Sequence, residues 1–108
     1  MNIKDELLEL FLLLEENNFI NAHDKCEDLW RIYKNDKNTR EESFILKAFV
    51  NAIAFLELIK MQRYEHAKKI WQIFKKYENL IEEINSQNKI EYKKIQKLIY
   101  TKRENIKI

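Results

Sequence analysis

The residues with the most chemical potential in this chain fall in one short segment, Ala22-His23-Asp24-Lys25-Cys26-Glu27-Asp28-Leu29-Trp30. His23 and Glu27 stand four apart, so on a helix they share one face, with Trp30 one turn further on. An imidazole and a carboxylate at this spacing can ligate a metal, as in helical zinc and di-iron sites, with Asp24 or an acid from another helix completing the set. They can also form a hydrogen-bonded pair that ties one helix to its neighbour, the tryptophan packing alongside. A hydrolytic metal site needs a third protein ligand and an open position for water. No spacing argument supplies that third ligand. His66, next to Glu65, reads as surface; Asp28 lies off the His23 face; Glu57 is a donor on a later helix that nothing in the sequence places nearby.

What the chain lacks narrows the chemistry further. Its 108 residues include no glycine and no proline. Glycine-rich phosphate loops are therefore excluded, and neither a nucleophilic triad nor a cysteine–histidine metal framework is present. Sheets and tight hairpins lean on the two missing residues, so their absence predicts long helices joined by turns of Asn, Asp, Lys and Ser. The single cysteine, Cys26, excludes an internal disulfide, fits a reducing cytosol and reads as a small buried hydrophobe rather than a catalytic thiol. Lys4-Asp5-Glu6 interrupts any signal pattern, and no apolar run reaches the roughly 18 residues of a membrane span. The expected location is cytoplasmic.

Apolar spacing predicts five helices that must position these residues. The first covers about 3–16, with Ile3, Leu7, Leu10, Phe11 and Leu14 inward; Asn17-Asn18 breaks it, because Asn tolerates left-handed backbone. The second covers about 19–34, with Phe19, Ala22, Cys26, Leu29, Trp30 and Tyr33 inward. Thr39-Arg40-Glu41-Glu42 reads as a capping box opening the third, about 40–60. That helix is apolar over more than half its circumference, from Phe44 and Ile45 to Leu56 and Ile59, and is expected at the centre. The fourth, about 64–84, presents Tyr64, Ala67, Ile70, Trp71, Phe74, Tyr77, Leu80 and Ile81. Asn88 with Glu91 resembles a second capping box, opening a last helix over about 88–104 with Ile95, Leu98, Ile99 and Tyr92 inward. The expectation is a single all-α domain, a compact five-helix bundle of two antiparallel hairpins (3–34 and 40–84) plus a C-terminal helix (88–104).

Two longer-range patterns stand out. Phe19 to Ala22, ending in Leu29, is echoed by Tyr64 to Ala67, ending in Phe74, at an offset of 45 residues. Both are second arms of hairpins, with an aromatic first and an alanine where helices cross closely; the tetratricopeptide type of hairpin has that local pattern, at a shorter period. Charge is also uneven: residues 1–30 carry eight acids and two lysines, whereas residues 85–108 carry seven basic residues and two acids. Lys89, Lys93, Lys94 and Lys97, with Tyr92 and Tyr100 interleaved, form a basic stripe that could contact RNA phosphates or an anionic membrane. A solvated lysine face that partly neutralises the acidic first hairpin has the same pattern and is the preferred reading.

Phe19-x-x-Ala22-His23-Asp24-x-x-Glu27-x-x-Trp30 resembles the signature of a small helical prokaryotic family, domain of unknown function 309. Its later blocks correspond to Ile45 through Ala52 and to Tyr64 through Phe74, so the resemblance spans roughly residues 8–81. The chain departs from the family pattern at Asp24, at Lys47-Ala48 and Asn51 in the central helix, and at Asn17 and Arg63, which stand for turn glycines. The resemblance implies an all-helical fold and the label of a predicted metal-dependent hydrolase, with no established activity. The residues themselves point to a non-catalytic protein-interaction domain in which His23, Asp24, Glu27 and Trp30 form a structural motif, with a protein partner or a second copy of the chain bound. The alternative is a metal-dependent hydrolase using His23 and Glu27, and a third class is RNA binding through Lys89, Lys93, Lys94 and Lys97. No residue receives a catalytic role, and no cofactor is expected outside the divalent metal of the alternative.

Overall fold

The chain reverses direction at two places without a glycine to help it. Asn17 and Gln62 each adopt left-handed backbone with φ of 61°. Around Asn17, its own N–H reaches the Leu14 carbonyl at 3.0 Å and that of Asn18 reaches Leu13 at 2.9 Å. Around Gln62 the same two bonds recur, Gln62 to Ile59 and Arg63 to Leu58, both at 2.9 Å. Each is a Schellman closure, which satisfies the last carbonyls of one helix and launches the next in the opposite direction. The 45-residue echo is therefore a repeat of backbone conformation as well as of side chains, and Gln62 rather than Arg63 is the left-handed residue of the second turn.

The computed structural model describes residues 2–106. These residues form α1 (Ile3–Glu15), α2 (Phe19–Lys34), α3 (Arg40–Lys60), α4 (Tyr64–Tyr77), a single turn α5 (Leu80–Glu83) and α6 (Lys89–Glu104), and no strand occurs among them. The result is an all-α bundle of two antiparallel hairpins and a C-terminal helix. α2, α3 and α4 lie side by side with α3 in the middle. α1 and α6 pair with each other and form a second layer, α1 against α2 and α6 against α3. Lys4 at the start of α1 bonds to Gln87 and Glu91 at the start of α6, and Lys102 near the end of α6 bonds to the Glu15 carbonyl, so the two helices run parallel. No helix among the described residues is long and apolar enough to cross a membrane.

The core sits between the layers. α3 buries Ile45, Leu46, Ala48, Phe49, Ala52, Ile53, Phe55 and Leu56, as expected of a central helix. Ala22 and Ala67 are fully buried at the two crossings against α3. Phe55, Trp71, Phe74 and Tyr100 form an aromatic cluster with centroids 4.7–6.0 Å apart, closed by the Arg103 guanidinium 4.7 Å from the Trp71 ring. Two expected core residues lie outside it: Phe44 and Tyr64 are exposed. Phe44 instead stacks on Tyr77 at 5.9 Å along the rim between α3 and α4.

The single helix expected over 64–84 is interrupted. Glu78 and Asn79 have the tighter dihedrals of 3₁₀ backbone, and Ile81 and Glu82 bond back three residues rather than four. Burial of Glu78 accounts for the pinch. Its carboxylate accepts from Tyr100 at 2.7 Å, from Gln96 at 2.9 Å and from Lys75, drawing the chain against α6.

Neither expected capping box forms. The Thr39 hydroxyl donates to the Tyr33 carbonyl at 2.8 Å, closing the end of α2 rather than the start of α3. Glu42 turns away to α6, and Asn88 gives no side-chain cap to its own helix. In both cases partners on other helices outcompete the local pattern.

Candidate functional site

On α2 the His23 segment points to the outer edge of the three-helix layer. His23 and Glu27 are half-buried, Asp24 is exposed, and Cys26 faces the core. The His23 Nε2 to Glu27 Oε2 separation is 4.0 Å, and Nδ1 to Asp24 Oδ1 is 3.8 Å, both beyond hydrogen-bonding range. Glu27 pairs instead with Arg31 one turn on, and Arg31 also reaches Asp28 at 3.4 Å. The expected hydrogen-bonded histidine–glutamate tie is therefore not made, because a flexible guanidinium at the right helical spacing takes the carboxylate. One link from this segment to α3 is Trp30, whose ring receives the Lys47 ammonium at 4.9 Å, with that of Lys34 on its own helix at 4.4 Å. Cys26 donates its thiol to the Leu46 carbonyl at 3.4 Å; burial first, and then the Glu27 charge, push that thiol up, which fits the inert packing role.

His23 and Asp24 do meet other chemistry-bearing side chains, from helices the spacing argument could not connect. With Glu57 of α3 and His66 of α4 they line one concavity of about 390 Å³, floored by Ala54 and Leu58 and edged by Ile20, Met61 and Ile70. The symmetry of the fold explains this. α2 and α4 flank α3 on opposite sides and run in the same direction. His23 follows the crossing alanine of its helix, and His66 precedes that of its own, so both turn toward the same open face. The 45-residue echo carried this signal: a histidine next to a crossing alanine lies beside the partner helix, even where it reads as surface. Among the described residues, no three His, Cys, Asp or Glu side chains are placed to hold one ion.

A second polar centre lies at the opposite end of α3. Tyr92 is fully buried, and its hydroxyl donates to Glu42 Oε2 at 2.5 Å. Asn88 Nδ2 donates to the same oxygen at 3.2 Å. Burial, with the Glu42 hydrogen bond adding to it, pushes the Tyr92 phenol up, so it stays a donor. By residue pattern Glu42 and Asn88 are capping-box members; the signal for their meeting is the inward tyrosine of α6, whose hydroxyl requires a buried partner.

The basic stripe is partly occupied. Lys93 and Lys89 both reach Glu82, at 2.5 and 3.2 Å, rather than the acids of the first hairpin. Of those acids, Glu6 and Glu9 are held by Lys25, while Lys4 of the first hairpin pairs with Glu91 of α6. Lys94 and Lys97 line a shallow concavity with Ile90, Gln96 and Tyr100. Comparison of the chain with protein-family models, with curated proteins and with solved structures found no match.

Proposed function

We propose that this chain is a non-catalytic protein-interaction domain that receives an amphipathic helix of a partner protein in the groove across α3, between α2 and α4. The observation that carries this reading is the open face of α3. Lys47, Val50, Ala54, Glu57, Leu58 and Met61 recur at three- and four-residue intervals, so they form one stripe, and the second layer covers the other side. Ile20 and Met61, 63% and 55% exposed, flank one end, and the Phe44–Tyr77 stack marks the other. From Lys47 to Met61 the stripe is about 21 Å long, which matches a partner helix of about 14 residues.

Charge sets the occupant's direction. Asp24 and Glu57 lie at the Met61 end, and Lys34 and Lys47 around Trp30 at the other. The fitting helix carries an apolar stripe, basic residues near one end and acidic residues near the other. A designed 14-residue helical peptide of that pattern, followed by fluorescence anisotropy, is expected to bind in the micromolar range. The same peptide with its charged ends exchanged is expected to bind more weakly, and Ala54→Arg, which fills the groove floor, to abolish binding. Equal binding of both peptides, or binding unaffected by Ala54→Arg, contradicts the reading.

A second reading, a divalent metal with hydrolytic chemistry at the concavity that His23, Asp24, Glu57 and His66 line, has weaker support, since no three His, Cys, Asp or Glu side chains among the described residues are placed to hold one ion. A stoichiometric metal that co-purifies with the chain and is lost in both His23→Ala and His66→Ala favours this reading over helix docking. RNA binding through α6 has weaker support, since Glu82 already engages two of the four lysines.

A further inference from the structure

The Glu42 centre opens onto solvent through a polar concavity of about 650 Å³ where the start of α1, the end of α2 and residues 85–88 converge. Three features distinguish it from an ordinary surface depression. Glu42 enters no ion pair among the described residues, although its carboxylate is half-buried. Both donors that hold it converge on Oε2, and no hydrogen bond reaches Oε1. Asn88 is only 6% exposed, yet its Oδ1 has no hydrogen-bond partner. A charge without an ion-pair partner among the described residues and a buried acceptor without a donor are each costly. Here they lie side by side, and Tyr33 lines the same concavity.

We infer that this concavity binds a small molecule carrying a primary ammonium group. An ammonium has three N–H donors and a positive charge. The cluster offers acceptors at Glu42 Oε1 and the Tyr33 phenol oxygen, with Asn88 Oδ1 buried beside Glu42, and the Glu42 charge. Lys4 is the one cation among the lining residues, and it is committed to the Gln87 carbonyl at 2.7 Å and to Glu91 at 3.0 Å. It therefore borders the site with its charge engaged by Glu91 rather than by Glu42. An anionic ligand would face the Glu42 charge and leave the orphan acceptor unsatisfied. The alkyl part of an amine has Ile3 and Tyr33 to pack against.

The test is a ¹H–¹⁵N correlation titration of the full chain with n-propylammonium chloride at low ionic strength, with 1-propanol and propionate as neutral and anionic counterparts. The amine is expected to give saturable shifts at Tyr33, Glu42 and Asn88 with a dissociation constant of about 1 mM, the range of a compact fragment. The two counterparts are expected to give none. Glu42→Gln keeps the shape and removes the charge, and is expected to weaken binding at least about tenfold. Lys4→Gln removes the cation at the rim and is expected to tighten binding several-fold, its spectrum checking that the α1–α6 seam stays closed. Shifts that do not saturate, that propanol reproduces, or that are indifferent to both substitutions overturn the inference.

Discussion

The His23 segment and the Glu42 centre invert what their sequences advertise. The first gathers histidine, acids and tryptophan within eight residues of one helix. In the fold its histidine touches neither acid within bonding distance, and its glutamate is held by a neighbouring arginine. The second draws Glu42, Asn88 and Tyr92 from separate parts of the chain, up to 50 residues apart, and binds them through two hydrogen bonds in the interior. Proximity along one helix gives polar side chains a shared face and leaves them wet. Interior polar contacts arise where separate helices cross, because only there does dehydration make an unmade bond costly.

The contrast can be broken first through its hydrophobic support. Phe49 is fully buried with its ring 6.0 Å from Tyr92, and Trp71 anchors the aromatic cluster. Phe49→Ala and Trp71→Ala are each expected to lower stability by about 3–5 kcal/mol in urea denaturation. Near-zero losses would mean that the inner faces of α3 and α4 are wrongly assigned.

Next, Tyr92→Phe removes one donor and leaves the Glu42 carboxylate less satisfied in its half-buried setting. A loss of about 1–3 kcal/mol is expected by the same method. A neutral result would place the Glu42 centre on the same footing as the His23 segment.

A smaller effect is expected at Glu78. Burial pushes its carboxyl up, but the hydrogen bonds from Lys75, Tyr100 and Gln96 outweigh burial and leave it below the ordinary range. Its contribution is therefore present above the unfolded pKa and lost as pH falls, over about pH 5 to 3. The melting temperature of the parent should fall more steeply across that window than that of Glu78→Gln; parallel curves would show that the interaction does not favour the charged form.

The smallest effect belongs to the segment that attracts attention first. A hydrogen-bonded His23–Glu27 pair predicts a clear drop in melting temperature for His23→Ala. The 4.0 Å separation on a half-exposed face revises this to within about 0.5 kcal/mol. A loss above about 1.5 kcal/mol would restore the structural role of the motif.

Helix positions were legible because apolar spacing and the absence of glycine and proline both speak directly to backbone. The bounds of α1, α2, α3 and α6 agree with the apolar pattern to within a residue, and the left-handed backbone at Asn17 was readable from residue type. Where a side chain points was less legible. Thr39 and Asn88 carry the right chemistry for caps, yet other helices offered their side chains different partners. Phe44 and Tyr64 look like core, but each sits just past the edge of its buried stripe. The meeting of Glu57 and His66 with His23 depends on α2 and α4 flanking α3 alike, a relation between three helices that no single periodicity encodes.

The parallel pairing of α1 with α6 bears on the order in which the chain assembles. α2, α3 and α4 are consecutive, linked by short turns, and their contacts cost little loop entropy. The α1–α6 seam instead joins residues as far apart as Lys4 and Glu91, a separation of 87 positions. Assembly is expected to begin in the three consecutive helices and to end with α6 closing onto α1. Substitutions in α3 should then slow folding, whereas those along the α1–α6 seam should chiefly hasten unfolding. On that order the seam is expected to open first, and the mouth of the Glu42 concavity lies at one end of it.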